Sequence, residues 1–179
     1  CIKELLWFLR GETDAKIIQK EGVGIWNGNS SREFLDKRGL FHYQEGECGP
    51  IYGWQIRRSG AEFPDKSGGV DQLAYIENLL KTDPYSRRIL WNLWNPSDLD
   101  KMSLTCCHYS MQLYVTNKDN QLYLSGLVNI RSNDLFLGNP FNIFSYYVLI
   151  RLLCIRHNMK PLNLTLNIGD AHIYKSHLC

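Results

Sequence analysis

The chain has 179 residues, 44% hydrophobic and 21% charged, the balance of one ordinary globular domain able to bury a core. A formal net charge of +2 is too mild to make nucleic acid the main partner. No apolar run reaches the length of a membrane span, and no signal peptide opens the sequence as it stands.

The elements follow in order. Residues 2–10 read as an amphipathic helix closed by Gly11, with Glu4 among hydrophobic neighbours. Glu4 is either a solvent-facing charge or an inward, functional carboxylate. Thr13 or Asp14 caps a second short helix ending near Gly22, and 23–29 is a loop carrying Trp26. Ser30-x-x-Glu33 fits a capping box for a third helix, ended by Gly39. The glycine-punctuated, aromatic run 48–55 favours strand and bend over helix. After a loop at 65–69, residues 71–81 predict a helix with Leu73, Ile76, Leu79 and Leu80 on one side.

Asp83-Pro84 ends that helix, and Arg87-Arg88 precedes a strand over 89–94. Asn95-Pro96 turns into a short helical piece, and a strand over 109–115 follows Cys107-His108. Asn117-Lys118-Asp119-Asn120 predicts a hairpin turn to a strand over 121–130. Gly138-Asn139-Pro140 introduces the longest helix, 141–158. Phe144, Tyr147, Val148, Leu149, Leu152 and Leu153 make it apolar on most of its surface, the mark of a buried central helix. Leu162, Leu164, Leu166 and Ile168 alternate with polar residues in a half-buried strand. The order gives an α+β fold, a largely antiparallel or mixed sheet packed on one long helix with outer helices. The sequence opens inside a helical run without methionine and stops just after a strand, so a piece of a longer protein is expected.

Six cysteines, Cys1, Cys48, Cys106, Cys107, Cys154 and Cys179, show no C-x-x-C spacing, and two are neighbours. Free thiols in a reducing compartment, the cytoplasm or nucleus, are expected, with no metal site. Cys107-His108 draws most interest. A thiolate attacks far better than a thiol, whose pKa of about 8.5 usually falls beside a cation or helix N-terminus. Alone, such a pair is more often a buried thiol beside a surface histidine. Arg87-Arg88 before it, and Arg131-Ser132-Asn133-Asp134 and Pro140-Phe141-Asn142-Ile143 after it, change that balance.

The chain resembles thymidylate synthases along nearly its whole length. The pieces that carry the resemblance are Glu4-Leu5-Leu6-Trp7-Phe8-Leu9-Arg10-Gly11, Ile25-Trp26, Gly49-Pro50-Ile51-Tyr52-Gly53, Arg87-Arg88-Ile89 and Cys107-His108. Arg131-Ser132-Asn133-Asp134, Leu137-Gly138-Asn139-Pro140-Phe141-Asn142-Ile143 and Gly169-Asp170-Ala171-His172-Ile173-Tyr174 complete them in the family's order. The resemblance implies a homodimeric α+β enzyme that methylates dUMP reductively to dTMP. Methylenetetrahydrofolate would supply both the carbon and the hydride as cosubstrate. It also implies one catalytic domain over 1–179, lacking the family's N-terminal phosphate loop and C-terminal folate-closing segment.

The roles carried over by resemblance are as follows. Cys107 is the nucleophile that adds to carbon 6 of uracil, and Cys106, in place of a usual proline, is a bystander. Arg131 and Ser132 meet the phosphate, and Arg87 and Arg88 reach the partner's phosphate across the dimer. Asn142 reads the base, accepting from the uracil N3–H and donating to the 4-oxygen. His172 and Tyr174 hydrogen-bond the sugar 3′-hydroxyl. Asp134 meets the pterin edge, with Ile25, Trp26, Asn29, Gly138 and Phe141 packing near the folate; plain core is the alternative for Trp26. Glu4 and Tyr52 handle protons, while His108 is structural. Ile130 departs from the pattern, standing where the family usually has glutamine. The alternative function is a truncated, catalytically impaired homologue that only binds nucleotide or a partner.

Overall fold

The computed structural model describes residues 1–178. They fall into two compact units, one built from 1–2, 74–91 and 107 onward, the other from 3–73 and 92–106. The elements together make an α+β protein.

The first unit holds a sheet of four strands in the order β1 (Leu90–Asn92), β2 (His108–Lys118), β3 (Gln121–Asp134) and β4 (Lys160–His172). β2 and β3 are an antiparallel hairpin. Its turn places Asp119 and Asn120 at φ of 52° and 61°, left-handed conformations that short polar side chains tolerate. Met111, Leu113 and Val115 of β2, with Leu124, Val128 and Ile130 of β3, turn inward at every second position. α6 (Gly138–Arg156) covers this inner face so closely that a Cβ on Gly126 would meet Ile150 at 2.8 Å.

β4 runs parallel to β3, so the sheet is mixed. A helical crossover between two strands returns the chain to the same end, which an antiparallel pairing would not require. α6 itself departs from the expected all-round burial. Tyr146, Leu149, Ile150, Leu153 and Cys154 face inward, but Phe144, Tyr147 and Leu152 are 40–48% exposed. The sheet takes one stripe of the helix and leaves apolar residues on the other side.

In the second unit α1 (Ile2–Leu9), α2 (Ala15–Gln19) and α3 (Arg32–Lys37) lie close to their expected places. α3 is capped by Ser31, whose Oγ accepts from Phe34 N–H, rather than by Ser30. Gly28–Ser30 form a 3-10 turn that shifts the helix start by one residue, and Ser30 Oγ donates to the Trp26 carbonyl instead. Glu33 does not close a capping box; it pairs with Lys37 at 2.6 Å.

The strand and bend expected over 48–55 is corrected more fully. Tyr52–Arg58 forms α4, burying Tyr52, Trp54, Gln55 and Ile56. Gly53 serves packing, because a Cβ there would lie 2.5 Å from the Glu12 carbonyl oxygen. The strand at 89–94 is shortened to three residues. The Gln72 side chain takes over at its end, donating to Asn92 O and accepting from Asn92 N–H at 2.8 and 2.9 Å. Among the described residues no helix is long and apolar enough to cross a membrane.

Candidate active site

In the first unit, strand pairing brings several candidate residues together. Cys107 stands just before β2, and Arg131 lies beside it on β3. The Arg131 backbone N–H donates to the Cys107 carbonyl at 2.9 Å, and its Nη2 lies 3.7 Å from Cys107 Sγ. His108 pairs with Ile130, and the register then shifts before Ser110. Such an irregularity at a strand's mouth re-aims the side chains there. A positive charge thus sits next to the sulfur of a partly exposed cysteine, while neighbouring Cys106 is fully buried.

The parallel pairing of β3 and β4 adds more residues. Ser132 stands opposite Asp170 and Asp134 opposite His172, and Leu135 N–H donates to the His172 carbonyl at 2.8 Å. Gly169 runs beside Arg131, with room for little else: a Cβ would come within 3.1 Å of the Arg131 carbonyl oxygen. The His172 and Tyr174 rings meet edge-on at 5.2 Å. Asp134 Oδ1 accepts from the N–H groups of Phe136 and Leu137 at 2.9 and 3.3 Å, so this carboxylate also closes its own turn. Gly138 opens α6, Phe141 is half-exposed and Asn142 is half-buried one turn into the helix.

His108 is tied back to α6, its Nδ1 2.8 Å from the Tyr146 hydroxyl. Burial pushes its pKa down to about 3, so the ring is neutral and gives the sulfur no charge. Tyr146 was not identified from the sequence. The available signal was its place four residues after Asn142, on the same side of one helix.

A second cluster lies in the other unit. Glu4 Oε1 accepts from the Trp26 indole N–H at 2.8 Å. Trp26 lies 5.7 Å from Trp7, 6.1 Å from Phe8 and 6.0 Å from Tyr52, and Tyr52 lies 4.7 Å from Phe8. Burial raises the Glu4 pKa, and the indole hydrogen bond opposes part of that rise. Trp26 and Tyr52 are buried, Asn29 is half-buried and Ile25 is exposed.

Arg87 and Arg88 are exposed beside β1. Arg87 lines a cleft of about 370 Å³ on the sheet's outer face with Gln112, Tyr114, Leu127 and Thr165. Ile130 is 1% exposed within the core. Among the described residues no group of three or more His, Cys, Asp or Glu could hold a metal ion.

The family model described as thymidylate synthase matches residues 1–179, the whole chain. The chain belongs to the thymidylate synthase family. It is 46% identical over 187 residues to the thymidylate synthase of Saccharomyces cerevisiae, covering 99% of this chain and 62% of the relative. It is 45% identical to the bifunctional dihydrofolate reductase-thymidylate synthase of Zea mays, covering 99% of this chain and 34% of that protein. The thymidylate synthase of human herpesvirus 8 type P is also 45% identical, with 99% and 53% covered. The chain therefore spans about three fifths of its yeast family member's length and about one third of the maize protein.

Proposed function

We propose that this chain methylates dUMP reductively to dTMP, with methylenetetrahydrofolate giving the carbon and the hydride. The observation that carries the reading is the Arg131 guanidinium 3.7 Å from Cys107 Sγ. Carbon 5 of uracil is a poor nucleophile until something adds at carbon 6. The Cys107 thiolate forms an Sγ–C6 bond, the C5–C6 double bond opens, and the electron pair moves toward the 4-oxygen as an enolate. Carbon 5 then attacks the folate's methylene and loses its proton, and the methylene's bond to the folate nitrogen breaks, leaving an exocyclic methylene and tetrahydrofolate. Hydride transfer from that tetrahydrofolate, which is oxidised to dihydrofolate, to the methylene completes the methyl group, and breaking of the Sγ–C6 bond expels the thiolate and restores the C5–C6 double bond.

Arg131 and Ser132 bind the phosphate dianion, and Asn142 pairs with the uracil N3–H and 4-oxygen. His172 and Tyr174 take the sugar hydroxyl. Asp134, with Gly138 and Phe141 nearby, and Ile25, Trp26 and Asn29 take the folate. A carboxyl with a raised pKa suits the proton-handling role assigned to Glu4, with Tyr52 beside it in the same aromatic cluster. A homodimer in which Arg87 and Arg88 reach the partner's phosphate fits the exposed cleft on the outer sheet face. Free thiols fit a reducing compartment such as the cytoplasm or nucleus.

The test uses 5-fluoro-dUMP and methylenetetrahydrofolate. A stable adduct on the tryptic peptide 102–118 is expected, together with tritium release from carbon 5 of labelled dUMP. That peptide carries both adjoining cysteines, so Cys106→Ser identifies the sulfur. Binding of both ligands with neither adduct nor tritium release overturns the proposal.

A further inference from the structure

The first turn of α6 lacks a side-chain cap: Leu137 at the N-cap makes no capping hydrogen bond, and Pro140 has no N–H to offer. A pair of asparagines holds it instead. Asn133 is 2% exposed on β3 between Ser132 and Asp134, and its Nδ2 donates to Asn139 Oδ1 at 3.1 Å. Its own Oδ1 is buried and accepts no hydrogen bond. That oxygen lies 3.5 Å from the point a Cβ on Gly138 would occupy.

We infer that Asn133 and Asn139 form a clasp that positions Asn142, so that these two residues help to set discrimination between uracil and cytosine nucleotides. The inference rests on the functional reading above. Burying an amide with one face unpaired is unfavourable, and an apolar side chain of similar size would fill the space without that cost. Filling space is therefore a poor account of Asn133. Direction is a better one. Asn139 and Asn142 are three apart on α6 and share a side of the helix. A bond at Asn139 fixes the rotation of the first turn about its axis, and with it the direction of the Asn142 carboxamide.

Asp134 fastens the intervening loop through Phe136 and Leu137. The asparagine clasp is a second tie between the same strand end and the helix. Ser132 and Asp134 flank Asn133, so the residues assigned to phosphate and pterin are mechanically joined to the residue that reads the base. Recognition through two hydrogen bonds from one planar amide tolerates little rotation, which is why a remote bond can alter selectivity.

The experiment compares Asn139→Leu and the double variant Asn133→Leu/Asn139→Leu with the unmodified chain. The ratio of kcat/KM for dUMP to that for dCMP is measured, with the two dissociation constants as a parallel readout. Asn139→Leu strands the Asn133 amide and lowers Tm, whereas the double variant removes both partners and keeps the fold. A fall of about tenfold in selectivity is expected in both variants. Unchanged selectivity in the folded double variant overturns the clasp and leaves the functional reading intact. An unmodified chain that shows no preference for dUMP in either readout overturns that reading and the clasp together.

Discussion

Cys107 lies beside a guanidinium at 3.7 Å and keeps part of its surface open, whereas Glu4 lies among the rings of Trp26 and its aromatic neighbours, with an indole N–H on its carboxylate. The two clusters solve opposite electrostatic problems. Around the sulfur, strand pairing brings in positive charge, which would favour a thiolate. Around the carboxyl, aromatic packing excludes water and raises the pKa, so a proton is held more tightly. The first arrangement depends on long-range register and the second on one helix face meeting a loop tryptophan. Substitutions in the first should therefore act mainly on chemistry, and those in the second on chemistry and stability together.

The sharpest separation comes from Cys107→Ser. A hydroxyl at that place is a far weaker nucleophile, so turnover should fall at least about 10⁴-fold and the fluoro-dUMP adduct should vanish, with little change in Tm. Cys106→Ser should do the reverse, keeping the adduct while burying a new hydroxyl at a destabilisation of about 1–3 kcal/mol. Mass spectrometry and thermal melts of the two variants decide the matter. Adduct formation by Cys107→Ser would break the comparison at its root.

Glu4→Gln tests the other cluster. The proton-handling role proposed for Glu4 predicts a fall of about 10²–10³-fold in turnover, measured by tritium release and product formation. The same variant should change the pH dependence of stability. Because burial raises the Glu4 pKa above its ordinary 4.5, the folded state holds the proton longer than the unfolded state. The contribution is fully present below pH 4.5 and is lost as pH rises through the folded value. Gln accepts the same indole hydrogen bond without ionising, so Glu4→Gln should remove that decline.

His108 has the opposite sign: its depressed pKa means stability is lost as pH falls from 6.5 toward 3. His108→Gln should flatten that acid limb. Denaturant titrations across pH 3–7 separate the two slopes, and equal slopes in variant and unmodified chain would refute either assignment.

Arg131→Ala is the next effect in size. If Arg131 holds the phosphate as proposed, its loss removes a charge-assisted contact, so KM for dUMP should rise about 100-fold, and Arg131→Lys should recover part of it. The backbone bond from Arg131 N–H to the Cys107 carbonyl persists in both variants, so Tm should move little. A large fall in Tm with unchanged KM would make this arginine a structural residue.

Much of this was legible in the sequence, for unequal reasons. α1, α5 (Gln72–Thr82) and the β2–β3 hairpin announce themselves through periodicity and the Asp119-Asn120 turn. α4 did not, because Gly53 reads as a bend until its contact with the Glu12 carbonyl shows why glycine is needed inside a helix. The α3 cap shifted by one residue because a 3-10 turn precedes it. The candidate site residues were named through motifs, but the strand pairings that bring some of them together within the first unit were hidden. Asp134 meets His172 by parallel pairing across an intervening helix, and no local pattern specifies that register. Likewise nothing in the sequence around His108 reveals that Tyr146 holds its imidazole.

The smallest and most informative change is Ile130→Gln, since the resemblance to the family leads one to expect glutamine where this chain has isoleucine. Ile130 is 1% exposed, pairs with His108 and precedes Arg131, so its side chain is part of the core next to the sulfur cluster. A glutamine there adds a buried amide that must find partners, costing about 1–3 kcal/mol of stability if the surrounding packing stays apolar. Near the proposed nucleophile the same amide supplies hydrogen bonds that isoleucine cannot, so kcat should rise up to about tenfold even as Tm falls. The two effects have opposite signs only if chemistry and core packing meet at this residue. Steady-state kinetics and a melting curve on one preparation test the point, and a fall in both quantities would show that position 130 serves packing alone.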